Sequence, residues 1–306
     1  MPGAYAHITL LHRSLSHHLA TGSLSATTSN ALDRWRSHAE LGAVSPDYPY
    51  LAGHTVWSDR MHHEATDAML HHGLQALPQL APAPRERATA WLMGYAAHMV
   101  ADMTIHPVIN ALVGPYEENK AAHRSCEMHM DAMAFGQLGL GDVGLSDHLT
   151  KNLAACCAPD DPRALDPDIT ALWTYMLGLS HPGAAAADPP RPAQWHQGFL
   201  VVMDAIRETN RLVPFARRLG VNAHLDYPMP QSIDPRWVTR LPTPQGPMDY
   251  GPLLDLALQR IGAFWTDMDA VISGADPGRL AALSPWNLDT GLSTGPRPHL
   301  VCWPEA

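Results

Sequence analysis

The sequence predicts an all-α fold, and three observations carry that reading. Apolar residues recur at helical spacing almost throughout, runs of alternating β-branched residues are scarce, and the Pro-rich pieces fall between the periodic segments. In chain order, helices are expected at residues 5–18, 31–39, 58–77, 84–103, 118–137, 146–156, 169–179, 194–219 and 252–273. The fourth is the most apolar. Its pattern runs up to His106, where Pro107 cannot extend the backbone hydrogen-bond ladder, so His106 is expected at a helix end. Residues 78–84, 182–192, 227–247 and the tail from Gly278 read as loops, the tail as a loosely packed terminal segment. The loop near residue 185 divides residues 1–180, which bear the chemistry, from a helical part at 181–306. The apolar run Phe199-Leu200-Val201-Val202-Met203 predicts that the two parts pack as one domain.

Composition excludes several classes. The chain has 306 residues, 46% hydrophobic and 16% charged, which excludes intrinsic disorder. Its net charge of −10 lacks the basic footprint of a protein that binds long nucleic acids. Four cysteines without a C-x-x-C pair make no disulfide scaffold. The N-terminus, Met1-Pro2-Gly3-Ala4-Tyr5, has no signal-peptide pattern, and the apolar stretch 88–103 falls short of the roughly 20 residues of a membrane span. The expectation is a cytoplasmic protein with no transmembrane segment. One count stands out: 19 histidines, nearly equal to the 20 lysines and arginines.

Three motif matches lack the context they need. Gly139-Leu-Gly141-Asp-Val-Gly144 spells the dinucleotide fingerprint but follows a helix instead of a strand. Gly291-Leu-Ser293-Thr-Gly295 spells a nucleophile elbow in a Pro-rich tail. His63-Glu64 begins a metalloprotease helix, but Asp67 stands where the second histidine belongs.

The informative pattern is His98-x3-Asp102-x3-His106. Steps of four rotate by only about 40° on a helix of 3.6 residues per turn, so the three side chains share one stripe. Leu92, Tyr95 and Met99 make the flanks apolar, and a lone carboxylate buried there would be costly. A shared cation resolves that cost, and imidazole with carboxylate suits Zn²⁺, without excluding iron or manganese. A second helix repeats the spacing with His123 and Glu127, and Asp131 continues its stripe.

These residues, with three further segments, resemble the zinc-dependent phospholipase C family. The segments are Gly3-Ala-Tyr-Ala-His7-Ile8, then Gly42-Ala-Val-Ser-Pro46-Asp47-Tyr48-Pro-Tyr50, then Trp57-Ser-Asp59-Arg60-Met-His62-His63-Glu64. All five stand in the family's order and span roughly the first 135 residues. The resemblance implies a multi-helix phospholipase C/nuclease-like bundle around two or three zinc ions. Asp47, His62, His98 and Asp102 would hold one ion, and His106, His123 and Glu127 a second. His7 would join the bridging Asp102 and the N-terminal groups around a third. His62 is preferred to His63 by its place after the Trp57–Met61 segment. Secreted members carry a processed N-terminal Trp at the third zinc, where this chain has Met1-Pro2, and their Asp-to-His step is two residues longer than that from Asp102 to His106.

The implied activity is hydrolysis of a phosphodiester in a small phosphoester or phospholipid-like substrate, with Asp47 as the catalytic carboxylate acting on a metal-activated water. The alternatives are a nuclease-like phosphodiesterase, a biosynthetic metalloenzyme using the cluster for other chemistry, and a metal-free helical interaction protein.

Overall fold

The apolar run around His98 forms the centre of the fold. In the computed structural model, which describes residues 3–140, 151–153, 155–201 and 227–303, helix α7 spans Pro82–Val113, and every residue from Ala88 to His106 is buried. A helix apolar on all sides belongs in a core. Around it lie α1 (Ala4–Thr21), α2 (Ala26–Arg34), α3 (Arg36–Val44), α4 (Tyr48–Leu51), α5 (Thr55–His63), α6 (Thr66–Ala76) and α8 (Tyr116–Gly136). Later come α9 (Pro167–Ser180), α10 (Pro182–Ala187) and α11 (Tyr250–Ile272). The protein is mostly helical, as expected. Among the described residues the strands form only two-stranded antiparallel pairs: Cys157–Ala158 with Asp161–Leu165, Leu241–Thr243 with Gly246–Met248, and Trp286–Asn287 with Leu292–Ser293. No helix among the described residues is long and apolar enough to cross a membrane.

The structure corrects several expected boundaries. The helix expected at 31–39 is two helices that meet at Trp35, whose backbone leaves the helical region at φ −116°, ψ 40°. The helix expected at 58–77 is likewise two, broken at Ala65, which sits in the left-handed region at φ 49°. Helix α7 does not stop at His106. It runs through Pro107 to Val113, because the proline deletes only one ladder bond and Val108 and Ile109 continue the buried face. The loop expected at 182–192 contains α10. Within the helices expected at 146–156 and 194–219, residues 151–153 and 194–201 are helical, and most of the rest lies outside the described residues.

The contact that positions the site is that of α3 on α7. Gly42 and Gly94 let the two backbones touch: a Cβ on Gly94 would collide with the carbonyl oxygen of Ala39, and one on Gly42 with that of Trp91. This approach brings the Ala43 carbonyl within 2.9 Å of His98 Nδ1. Backbone cannot yield as a side chain can, so Gly94→Ala should cost about 3 kcal/mol and lower the melting midpoint by roughly 6–12 °C. A thermal melt of the variant checks this; an unchanged midpoint would mean that the helices can separate freely.

Candidate metal centre

Four elements bring five side chains to one buried point. His98 and Asp102 come from adjacent turns of α7, His7 from α1, His62 from α5, and Asp47 from the 3₁₀ turn Ser45–Asp47. That turn is pinned from two sides. Trp91 Nε1 donates to Ser45 Oγ at 2.9 Å, and Ser58 Oγ donates to the Pro46 carbonyl at 3.0 Å. The start of α1 is held by Asp131, which accepts the backbone N–H of Ala6 at 2.8 Å and of Tyr5 at 3.3 Å.

Asp102 is the hub. The Nε2 atoms of four histidines approach its carboxylate: His98 at 3.1 Å, His7 at 3.3 Å, His62 at 3.6 Å and His106 at 3.8 Å. His62 Nε2 also lies 3.4 Å from Asp47 Oδ1, and the ring of His7 stacks on that of His98 at 4.0 Å. Two sets of three ligating atoms fall within 4.8 Å of one another: His7, Asp47 and His98, and His62, His98 and Asp102.

The predicted second trio is less convergent. His106 faces Asp102, while His123 Nδ1 lies 3.9 Å from Glu127 Oε1 one turn along α8. Among the described residues, no set of three ligating atoms within that distance includes His106, His123 or Glu127. His62, His106 and His123 nevertheless line one open cleft of about 590 Å³, with Tyr50, Asp59 and Tyr116 on its walls. The neighbouring His63 instead donates from Nε2 to Asp289 Oδ2 at 2.7 Å. Arg60 lies 3.8 Å from Glu64 and over the Trp57 ring.

The donor set fits a metal ion. Four imidazoles spend one nitrogen on a backbone carbonyl: His62 on Ser58, His98 on Ala43, His106 on Leu288 and His123 on Gly114, at 2.7–2.9 Å. In the neutral ring this makes the other nitrogen an acceptor facing the centre, the arrangement that orients metal-binding histidines. His7 Nε2, Asp47 Oδ1, both Asp102 oxygens, His106 Nε2 and His123 Nδ1 are buried and have no hydrogen-bond partner among the described residues. Orphaned buried polar atoms are rare and costly, and here they point at one another. Nitrogen and carboxylate donors of this kind suit zinc.

The electrostatics favour the ligating forms at most of these positions. Burial raises the Asp102 carboxyl, but the charges of His98 and His106 outweigh it and hold the group well below the usual carboxylate range. Desolvation pushes His106 down to about 4 and lowers His7 as well, so both rings are neutral at pH 7. His62 and His98 are the exceptions: burial opposes their protonation, yet the neighbouring Asp47 carries His62 up to about 9, and Asp102 and Asp47 raise His98.

Three features escaped the sequence reading. One is Asp289, in a tail taken for loose packing. The second is the Leu288 carbonyl that holds His106. The third is the burial of Trp286 and Trp303, which ties the tail down. None has a local signal, because each contact joins residues roughly 180–220 positions apart.

The fold and site define an all-α protein with a buried histidine–aspartate cluster, beside a cleft, that could hold metal ions. The chain belongs to the zinc-dependent phospholipase C family: the model of that family matches residues 6–183, more than half of the chain and well beyond the motif-bearing first 135 residues. Neither the curated proteins nor the solved structures provide a match.

Proposed function

We propose that this chain is a phospholipase C-like hydrolase that cleaves a phosphodiester of a phospholipid or a small phosphoester in the cleft beside His62. The observation that carries the reading is the convergence of four imidazole Nε2 atoms on the buried Asp102 carboxylate. In this proposal His7, Asp47, His62, His98 and Asp102 hold the inner part of a centre of two or three zinc ions. His106, His123 and Glu127 hold its outer part. Zinc there would polarise the phosphoryl oxygens and bring the pKa of water toward about 7.

The protein's own groups do the rest. Asp47 Oδ1, buried and without a hydrogen bond, accepts the proton of the attacking water. The backbone carbonyls of Ser58, Ala43, Leu288 and Gly114 keep the imidazoles in the acceptor tautomer toward the centre. Tyr50 and Tyr116 offer the substrate an apolar wall. What supports treating residues 1–180 and 181–306 as one working unit is that Asp289 lines the same cleft as His62 and His106.

The test is metal content by elemental mass spectrometry on tag-free protein, followed by turnover of a phosphocholine lipid analogue and a single-stranded oligonucleotide. Two or three zinc ions per chain with turnover of the lipid analogue is the expected result. Turnover of the oligonucleotide alone would move the assignment to a nuclease. A folded protein that refuses added zinc would overturn the hydrolase reading.

A further inference from the structure

The C-terminal segment around Asp289 lies outside the span matched by the family, yet it is fastened across the mouth of the cluster. Trp286 exchanges two hydrogen bonds with Thr66, its carbonyl accepting from Thr66 Oγ1 at 2.9 Å and its N–H donating back at 2.7 Å. The Leu288 N–H donates to the His62 carbonyl at 2.8 Å, and the Leu288 carbonyl accepts from His106 Nδ1 at 2.7 Å. Asn110, one turn beyond His106 on α7, donates to the Asp289 carbonyl at 2.5 Å. The Asp289 carboxylate then divides between two histidines: Oδ2 accepts from His63 Nε2 at 2.7 Å, and Oδ1 lies 3.6 Å from His106 Nδ1.

The next turn is shaped for the same seat. Gly291 has φ 72°, and a Cβ there would strike the ring of Pro107 and crowd the Met103 carbonyl, the one that Pro107 leaves without its helical donor. Trp303 Nε1 donates to the neighbouring Thr104 carbonyl at 3.1 Å. The tail therefore occupies the α7 turn on which His106 stands.

We propose that Asp289 is a positioning residue of the metal centre, carried by a C-terminal strap that fixes His106 from behind and holds His63 at the cleft wall. The Leu288 carbonyl takes the single Nδ1 proton and fixes the His106 ring plane, and the Asp289 charge 3.6 Å from that nitrogen strengthens the free nitrogen as a donor to metal. Asp289 reaches His106 and His63 without touching the inner cluster at Asp102, so it acts through those rings.

This inference rests on the metal reading above, and the experiment separates the two. Zinc affinity of the full chain is measured by competition with a chromophoric chelator for the wild type, Asp289→Ala and Asp289→Glu, with melts of the metal-free proteins alongside. The Asp289 side chain is 38% exposed, so its truncation leaves the core intact. Asp289→Ala should bind zinc about 10–100-fold more weakly, Asp289→Glu should recover most of that loss, and the metal-free midpoints should stay within about 2 °C. Wild-type affinity in Asp289→Ala overturns the strap's role and leaves the metal centre standing. Equal weakening in both variants together with a lowered metal-free midpoint also overturns it, as damage to the fold. A wild-type chain that binds no zinc overturns the metal reading and this proposal with it.

Discussion

Asp102→Asn should strip the centre of metal and of turnover while leaving the protein folded. The amide has the shape of the carboxylate, so the packing of α7 is undisturbed. What changes is the chemistry presented to four imidazoles. One oxygen becomes an NH₂ that donates toward Nε2 atoms whose lone pairs the metal would need. That substitution satisfies orphaned nitrogens in the metal-free protein and blocks them as ligands. It also removes the negative charge that offsets a dication in a buried site. If Asp102 is a direct ligand, as proposed, its loss should exceed the roughly 100-fold affinity loss typical of an outer partner. Turnover should fall by at least about 10³-fold, or about 4 kcal/mol of barrier. Elemental analysis and a phosphodiester assay on the variant check both. Full metal content with full turnover would remove Asp102 from the centre of the mechanism.

The four-residue spacing that first marked Asp102 was legible because a helix converts it directly into a stripe, and the burial of α7 then forces that stripe to find partners. The same logic exposed His123 and Glu127 on α8. Where the reading failed, the deciding contact was distant. Pro107 reads locally as a stop, but the run of Val108 and Ile109 and the seat offered by the tail at Met103 and Gly291 carry the helix past it. The break at Ala65 has no proline or glycine to announce it. Thr66, fully buried, bonds to Trp286 across 220 positions, a constraint invisible to any short window. Asp289 was missed for the same reason: a Pro-rich tail without periodicity gives no sign that it will be tied to α5 and α7.

Zinc should raise the melting midpoint of the chelated protein, and by more at pH 9 than at pH 6.5. A ligand that binds only the folded state stabilises it by about 4.1 kcal/mol per site at 1,000 times its dissociation constant. At 2–4 °C per kcal/mol this is roughly 8–16 °C for one ion. The pH term comes from His62. Its folded pKa, up to about 9, lies above the ordinary 6.5, so in the metal-free protein its pairing with Asp47 contributes stability that is complete below about 6.5 and lost as pH rises through 9. His98 is shifted in the same direction by Asp102 and Asp47 against the pull of burial. Metal binding needs both rings deprotonated, so zinc must displace protons at pH 6.5 that are largely gone at pH 9. The two effects add: the metal-free protein weakens across that window while the zinc complex gains. His106 and His7 are lowered from 6.5 and already neutral in the folded protein, so zinc displaces no proton from them in this window. Paired melts with chelator and with buffered free zinc at the two pH values test the prediction. Coincident melts at both would show that the imidazoles around Asp102 are a packed core and hold no metal. A zinc increment that does not change with pH would show that His62 keeps its proton when the metal is bound, which would remove it from the ligand set.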